Sequence, residues 1–146
     1  MSKILATLFF STALLFGAKG GKFDYTHTFS LKKDEVAKIS VIKKDYKTSP
    51  RKESEVSFRW TLFHNHLLVI LVSYEGFTTQ YVLEKRYKRD SVSIWLMGDY
   101  ERVGERVFLA LKFSDFKVDK KIAILDVMIL DRKKRVEVRF INPKRR

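Results

Sequence analysis

Apolar residues recur at every second position along much of this chain. Phe23, Tyr25, His27, Phe29 and Leu31 alternate with Asp24, Thr26, Thr28 and Ser30. That period places alternate side chains on opposite faces of an extended chain, so the stretch predicts a half-buried strand. Lys32–Glu35 (KKDE) predicts a turn and Val36–Ile42 a second strand, against a competing one-turn helix over Asp34–Lys38. Residues 43–54 carry many charges, Pro50 and few apolar side chains, which predicts a loop. The run Val56–Tyr74, VSFRWTLFHNHLLVILVSY, then predicts the central hairpin. Val56, Phe58, Trp60 and Leu62 form its buried row. His64-Asn65-His66 is the turn, because Asn tolerates left-handed backbone. Leu67–Val72 is apolar without a break, so both its faces are expected to be shielded from water.

Glu75-Gly76 turns the chain into a further strand with Phe77, Thr79, Tyr81, Leu83, Lys85 and Tyr87 on one side. Val92, Ile94 and Leu96 begin another alternation. Val103, Val107, Ala110 and Leu111 fit a helix face, but Gly104 costs about 1 kcal/mol in a helix interior. A loop over 98–106 and a strand of Val107, Leu109, Leu111 and Phe113 is the better reading. Ser114–Lys121 reads as a polar connection with Phe116 and Val118 turned inward. Ile122–Leu130 is apolar on both faces apart from Asp126. Asp131–Lys134 is a charged turn, Val136, Val138 and Phe140 close the sheet, and Pro143 stops it. About eight strands with no helix predict a single-domain, all-β antiparallel β-sandwich. A β-barrel is the alternative, but each of its strands should show one polar side.

The first residues have a different character. Lys3 precedes an apolar run, Ile4–Phe16, and Ala18-Lys19-Gly20 puts small residues where a signal peptidase reads. Residues 1–20 are therefore expected to be a cleaved signal peptide, and residues 21–146 the all-β domain of a periplasmic protein. No segment of that mature chain is long and apolar enough for a membrane span. The chain has no cysteine, which excludes disulfides, thiol catalysis and a lipid anchor at the junction. Its net charge is +13, and the leader removes only two of its bases. So basic a protein attracts anions over long range. Outside the cytoplasm these are an acidic envelope protein or an anionic envelope surface; nucleic acid is not expected there.

Candidate chemistry is sparse. His64 and His66, two apart on an extended chain, would project to one side as a metal pair, with His27 or an acid as third ligand. A polar hairpin tip explains the same residues. The letters H-N-H here do not make the nuclease motif, whose residues are spread over a longer segment. Asp126 inside an apolar strand needs a hydrogen-bonded or charged partner. Trp60, Tyr74, Phe77, Tyr81 and Trp95 are candidates for a pocket or contact surface, although aromatics at strand spacing are more often core. No G-x-S-x-G turn, H-E-x-x-H or phosphate loop occurs, so neither a cofactor nor an enzyme is the expectation. The basic turn Arg132, Lys133, Lys134 and Arg135 is the candidate partner-binding site. In an up-and-down arrangement the clusters near 45, 133 and 145 fall at one end, and those near 88 and 120 at the other. The function expected is that of a non-catalytic interaction or structural module with a basic surface. The alternative is a barrel carrying a small apolar or lipid-like ligand.

Overall fold

The computed structural model describes residues 23–44, 53–96 and 107–144. The expected signal peptide and its cleavage site, most of the 43–54 loop, the 98–106 loop and the last two arginines lie outside them. Nine strands follow one another: β1 (Tyr25–Lys32), β2 (Ala37–Lys43), β3 (Glu53–His64), β4 (Leu67–Tyr74), β5 (Phe77–Glu84), β6 (Ser91–Leu96), β7 (Val107–Lys117), β8 (Ile122–Leu130) and β9 (Val136–Ile141). They form a four-stranded sheet in the order β1-β8-β7-β6 and a five-stranded sheet in the order β5-β4-β3-β2-β9, antiparallel throughout. The sheets do not close into a barrel, so the fold is the sandwich and not its alternative. The helix considered at 34–38 is absent; the chain there turns and enters β2.

Alternation builds the core. The inward rows include Phe29 and Leu31 of β1, Ile39 and Val41 of β2, Val56, Phe58 and Trp60 of β3, and Leu109, Leu111 and Phe113 of β7, all buried. Each large side chain removed from water in this way contributes about 1.5–3 kcal/mol. Phe29 meets Phe58 edge to face across the interlayer, ring centroids 5.3 Å apart. Trp60 satisfies its indole by donating from Nε1 to the Leu31 carbonyl at 2.7 Å, which ties the sheets together.

Two irregularities decide what faces inward. β3 shifts register against β4 between Trp60 and Leu62, and β7 shifts against β8 between Phe113 and Asp115. Each bulge inserts one residue, Thr61 or Ser114, and moves every later side chain to the opposite face. Leu62, expected in the core, is therefore outward and 54% exposed, while Phe63 packs against the core. Phe116 turns inward as expected, and β7 continues to Lys117 where a polar connection was expected. Val118 does not tuck in; it sits in the turn, 69% exposed.

Both apolar runs alternate between buried and less buried positions, except that Met128 on the outer face of β8 is also buried. In β4, Leu68, Ile70 and Val72 are buried, whereas Leu67, Val69 and Leu71 face outward with only their neighbours to shield them. In β8, Ile122, Ile124, Asp126 and Leu130 are half-buried on the outer face. β5 ends at Glu84, so Lys85 and Tyr87 belong to the following turn and not to the strand.

Burial of alternate β4 residues orders their mutational costs. Ile70→Ala should cost about 2–5 kcal/mol as a large-to-small core change. Leu71→Ala, one position along and half-buried, should cost clearly less. Urea melts of the two variants check the order, and equal losses would mean that something covers the outer face in solution.

Candidate functional site

The turns gather at two ends. The upper end holds the β1–β2, β3–β4, β5–β6 and β7–β8 turns and the residues after β9. At the lower end β2 finishes, β3 starts, and the β4–β5 and β8–β9 turns lie. The clusters near 88 and 120 share the upper end, and the cluster near 133 lies at the lower end with Lys43 and Lys44, the described part of the cluster that begins there, as the alternation implies. Lys144, however, follows β9 and lies at the upper end, since β9 starts beside Lys43 and finishes beside Lys38.

His64 and His66 occupy the β3–β4 tip and are exposed. Asn65 and His66 both have positive φ, 47° and 67°, as a two-residue turn of the primed type requires. The chain reverses between the histidines, so the extended-chain geometry that would aim both rings one way does not exist. His27 is taken up elsewhere: its ring stacks on Phe140 at 4.8 Å, with Nε2 3.3 Å from Asn142 Oδ1. No group of three His, Cys, Asp or Glu among the described residues is placed to hold a metal ion.

Asp126 lies on the outer face of the four-stranded sheet, between β1 and β7. Thr28 Oγ1 donates to its Oδ1 at 2.6 Å, and Ser114 Oγ donates to its Oδ2. Ser114 is the residue inserted by the β7 bulge, so the bulge supplies one of the two donors. The carboxylate is thus a cross-strand hydrogen-bond acceptor rather than half of an ion pair with an arginine.

The 131–135 turn is organised by a residue that the charge pattern alone did not single out. Asp131 is buried. Its Oδ1 accepts the Arg135 amide and its Oδ2 the Val136 amide, both at 2.9 Å. Its own amide donates to Asp24 Oδ2 at 2.7 Å, and Lys134 closes the turn with φ of 50°. Because the one acid of the turn is directed at backbone, Arg132, Lys133 and Lys134 stand outward as a cationic tip. The Arg135 carbonyl accepts the Lys44 amide at 2.7 Å, which places the base after β2 beside them.

The upper end combines charge with exposed apolar groups. The β5–β6 turn, KRYKRD, carries Tyr87, 71% exposed, among Lys85, Arg86, Lys88 and Arg89. It is held against β7: the Phe113 amide donates to the Asp90 carbonyl at 2.7 Å, and Lys85 and Asp115 approach to 3.7 Å. β7 runs on past the start of β6, which pairs Ser91 with Lys112, so the β7–β8 tip projects further. That tip carries Val118 beside Lys117, Lys120 and Lys121. By contrast, several ions on the strand faces are matched locally, as in Lys38–Glu55 at 3.2 Å and Arg139–Glu137 at 3.1 Å. Of the aromatic residues that were candidates for a pocket or a contact surface, Trp60 is buried and Tyr74 and Tyr81 pack on the core, whereas Phe77 and Trp95 are exposed.

Comparison with protein-family models, curated proteins and solved structures finds no match.

The Asp131 carboxylate gives a direct test of this organisation. Asp131→Ala leaves two backbone donors without their acceptor in a buried position and should cost about 2–3 kcal/mol. Replacing His64 and His66 together with alanine should cost under about 0.5 kcal/mol, as at other exposed surface sites. Thermal melts with and without added zinc measure both; a loss from the histidine pair that depends on zinc would restore the metal reading.

Proposed function

We propose that this protein is an exported, non-catalytic interaction module that docks on an anionic envelope surface through the cationic ends of its sandwich. The observation that carries the reading is the upper end, where Tyr87 and Val118 protrude among lysines and arginines of two adjoining turns. Apolar tips flanked by bases suit the boundary of an anionic bilayer: the bases attract headgroups, and a tyrosine ring is at home where one end is apolar and the other wet. The lower tip, Arg132–Arg135, adds a second cationic surface without comparable apolar tips in the same turn. Export rests on the leader-like first residues. The carrier reading needs a closed barrel with room inside, and an interlayer filled by Phe29, Phe58 and Trp60 gives it no support.

Binding should be read by co-sedimentation with phosphatidylglycerol and phosphatidylcholine vesicles. Retention by the anionic vesicles should fall as salt rises, since exposed charges are screened over about 8 Å at physiological ionic strength. Arg86→Glu with Lys88→Glu should weaken retention about tenfold or more, as roughly 1 kcal/mol per juxtamembrane base implies. Arg132→Glu with Lys133→Glu should weaken it less. Indifference to salt and to both reversals would leave the basic charge as solubilising only.

Export has its own test. Protein recovered from the periplasm of the native host should begin at Gly21 by N-terminal sequencing. An intact Met1–Phe16 segment in the membrane fraction would overturn it.

A further inference from the structure

β5 is an open sheet edge. It pairs with β4 on one side only, and nothing among the described residues pairs along its other side except at its last residue. The Glu75-Gly76 turn, with φ of 50° and 81°, closes on the pair Tyr74 and Phe77. In an antiparallel ladder the residues that exchange both backbone hydrogen bonds then fall at Phe77, Thr79, Tyr81 and Leu83. Thr78, Gln80, Val82 and Glu84 direct their amides and carbonyls away from β4. The geometry at the end of the strand agrees, because the Glu84 amide donates outward to the Arg89 carbonyl at 2.9 Å.

Sheet edges are commonly blunted by lysines, prolines or bulges. The sequence of β5, FTTQYVLE, has none of these and no charge before Glu84, and its pairing with β4 is regular. Phe77, Thr78, Thr79 and Gln80 are all exposed, so both faces and the edge are accessible at this point. Phe77 is 79% exposed, although it lies on the same side of the sheet as buried Leu83.

We propose that β5 pairs antiparallel with β5 of a second copy, joining two five-stranded sheets into one continuous sheet. The flanking charges point to this occupant and this direction. An acid, Glu75, precedes the strand, and bases, Lys85 and Arg86, follow it. With a two-fold axis at Gln80, the outward-directed residues match: Gln80 meets its equivalent and Thr78 meets Val82, while Arg89 occupies the edge at Glu84, so each Glu75 comes beside the basic turn of the other copy that starts at Lys85. A parallel arrangement sets like charges side by side at both ends. The antiparallel register also brings Phe77, largely exposed in the monomer, to the edge of the other copy on the face that carries half-buried Tyr81. Such an interface is isologous, the commonest form of dimer. It does not depend on docking to an anionic surface.

Sedimentation equilibrium of the purified protein should show a reversible dimer with a dissociation constant of roughly 1–100 µM, the range of a small interface. Amide exchange at Thr78, Gln80 and Val82 should slow as concentration rises. Gln80→Pro removes only an edge donor and no bond to β4, so it should leave the circular dichroism spectrum intact and abolish the dimer. Val82→Lys is the second edge variant and should do the same. Glu75→Lys and Lys85→Glu should each raise the dissociation constant about tenfold, while a mixture of the two variants, in which both contacts become attractive again, should associate as tightly as the original protein. A monomer throughout the concentration range would overturn the proposal. So would a dimer indifferent to Gln80→Pro, or one in which mixing the charge variants restores nothing.

Discussion

Two bulges on facing sheets set the geometry on which the upper half of the sandwich depends. Past Thr61 in β3 and past Ser114 in β7, the next inward side chains are Phe63 and Phe116. They stack across the interlayer with centroids 3.7 Å apart and planes 11° from parallel. Trp60 meets Phe116 edge to face at 5.4 Å, and Phe63 meets Phe113 at 6.2 Å. Without the β7 bulge the chain would present Asp115 to the core and Phe116 to water, and burying an unpaired carboxylate costs more than any single aromatic contact returns. Without the β3 bulge Phe63 would be outside, and Phe116 would have no ring to stack on. The two irregularities therefore support each other. The Trp60 region also anchors the crossing between sheets: its carbonyl accepts the Asp34 amide at 3.0 Å, its indole reaches Leu31, and Arg59 and Asp34 approach to 3.6 Å. The turn from β1 to β2 is thus clasped at the point where the register changes.

The polar residues obey the same constraint of position. Asp126 accepts from the bulge serine, and Asp131 folds the β8–β9 turn around its carboxylate. Both acids join parts of the frame, Asp126 across strands and Asp131 within a turn. Ser40, buried on the outer side of β2, donates to Glu53 of β3. No buried side-chain nitrogen or oxygen among the described residues lacks a partner. In the β8–β9 turn the one acid, Asp131, is drawn into such hydrogen bonds, which leaves Arg132, Lys133 and Lys134 as the charged groups of its exposed tip.

Much of this frame is legible in the sequence, because strand periodicity survives any detail of topology. The rows Phe29–Leu31, Val56–Trp60 and Val107–Phe113 are core where alternation puts them, and the turns at Asn65-His66, Glu75-Gly76 and Asp131–Lys134 occur where their residues suggest. What alternation cannot carry is phase across a bulge. Thr61 and Ser114 look like any polar residues between apolar ones, yet each inverts the facing of the residues after it, so alternation alone puts Leu62 on the wrong side. Unbroken apolar runs mislead for a related reason. In β4 the outward residues Leu67, Val69 and Leu71 lie in the middle of a sheet, half-covered by Leu62 and Val82 beside them, and need no second layer. The candidate sites are less legible. Asp131 reads as one more charge in a charged turn, and its burial depends on Asp24, far away in sequence. The openness of β5 depends on strand order, which no local pattern contains.

The two proposed surfaces constrain each other. Antiparallel pairing of β5 turns the second copy end over end, so that the upper end of one copy comes beside the lower end of the other. A molecule with one cationic end would then present alternating charge to a flat surface. Here both ends are cationic, the upper through Lys85–Arg89 and Lys117–Lys121, the lower through Lys44 and Arg132–Lys134. Each side of such a dimer would carry one tip of each kind, with the Tyr87 turn of one copy near the centre of the joined sheet and the Arg132 turn of the other copy at its far edge, beside β9. The charge reversal at Arg132 and Lys133, peripheral in a monomer standing on its upper end, becomes part of the contact surface in the dimer. Bases at both ends are redundant in a monomer that docks by one end, and they are what a two-fold dimer needs in order to dock by either side.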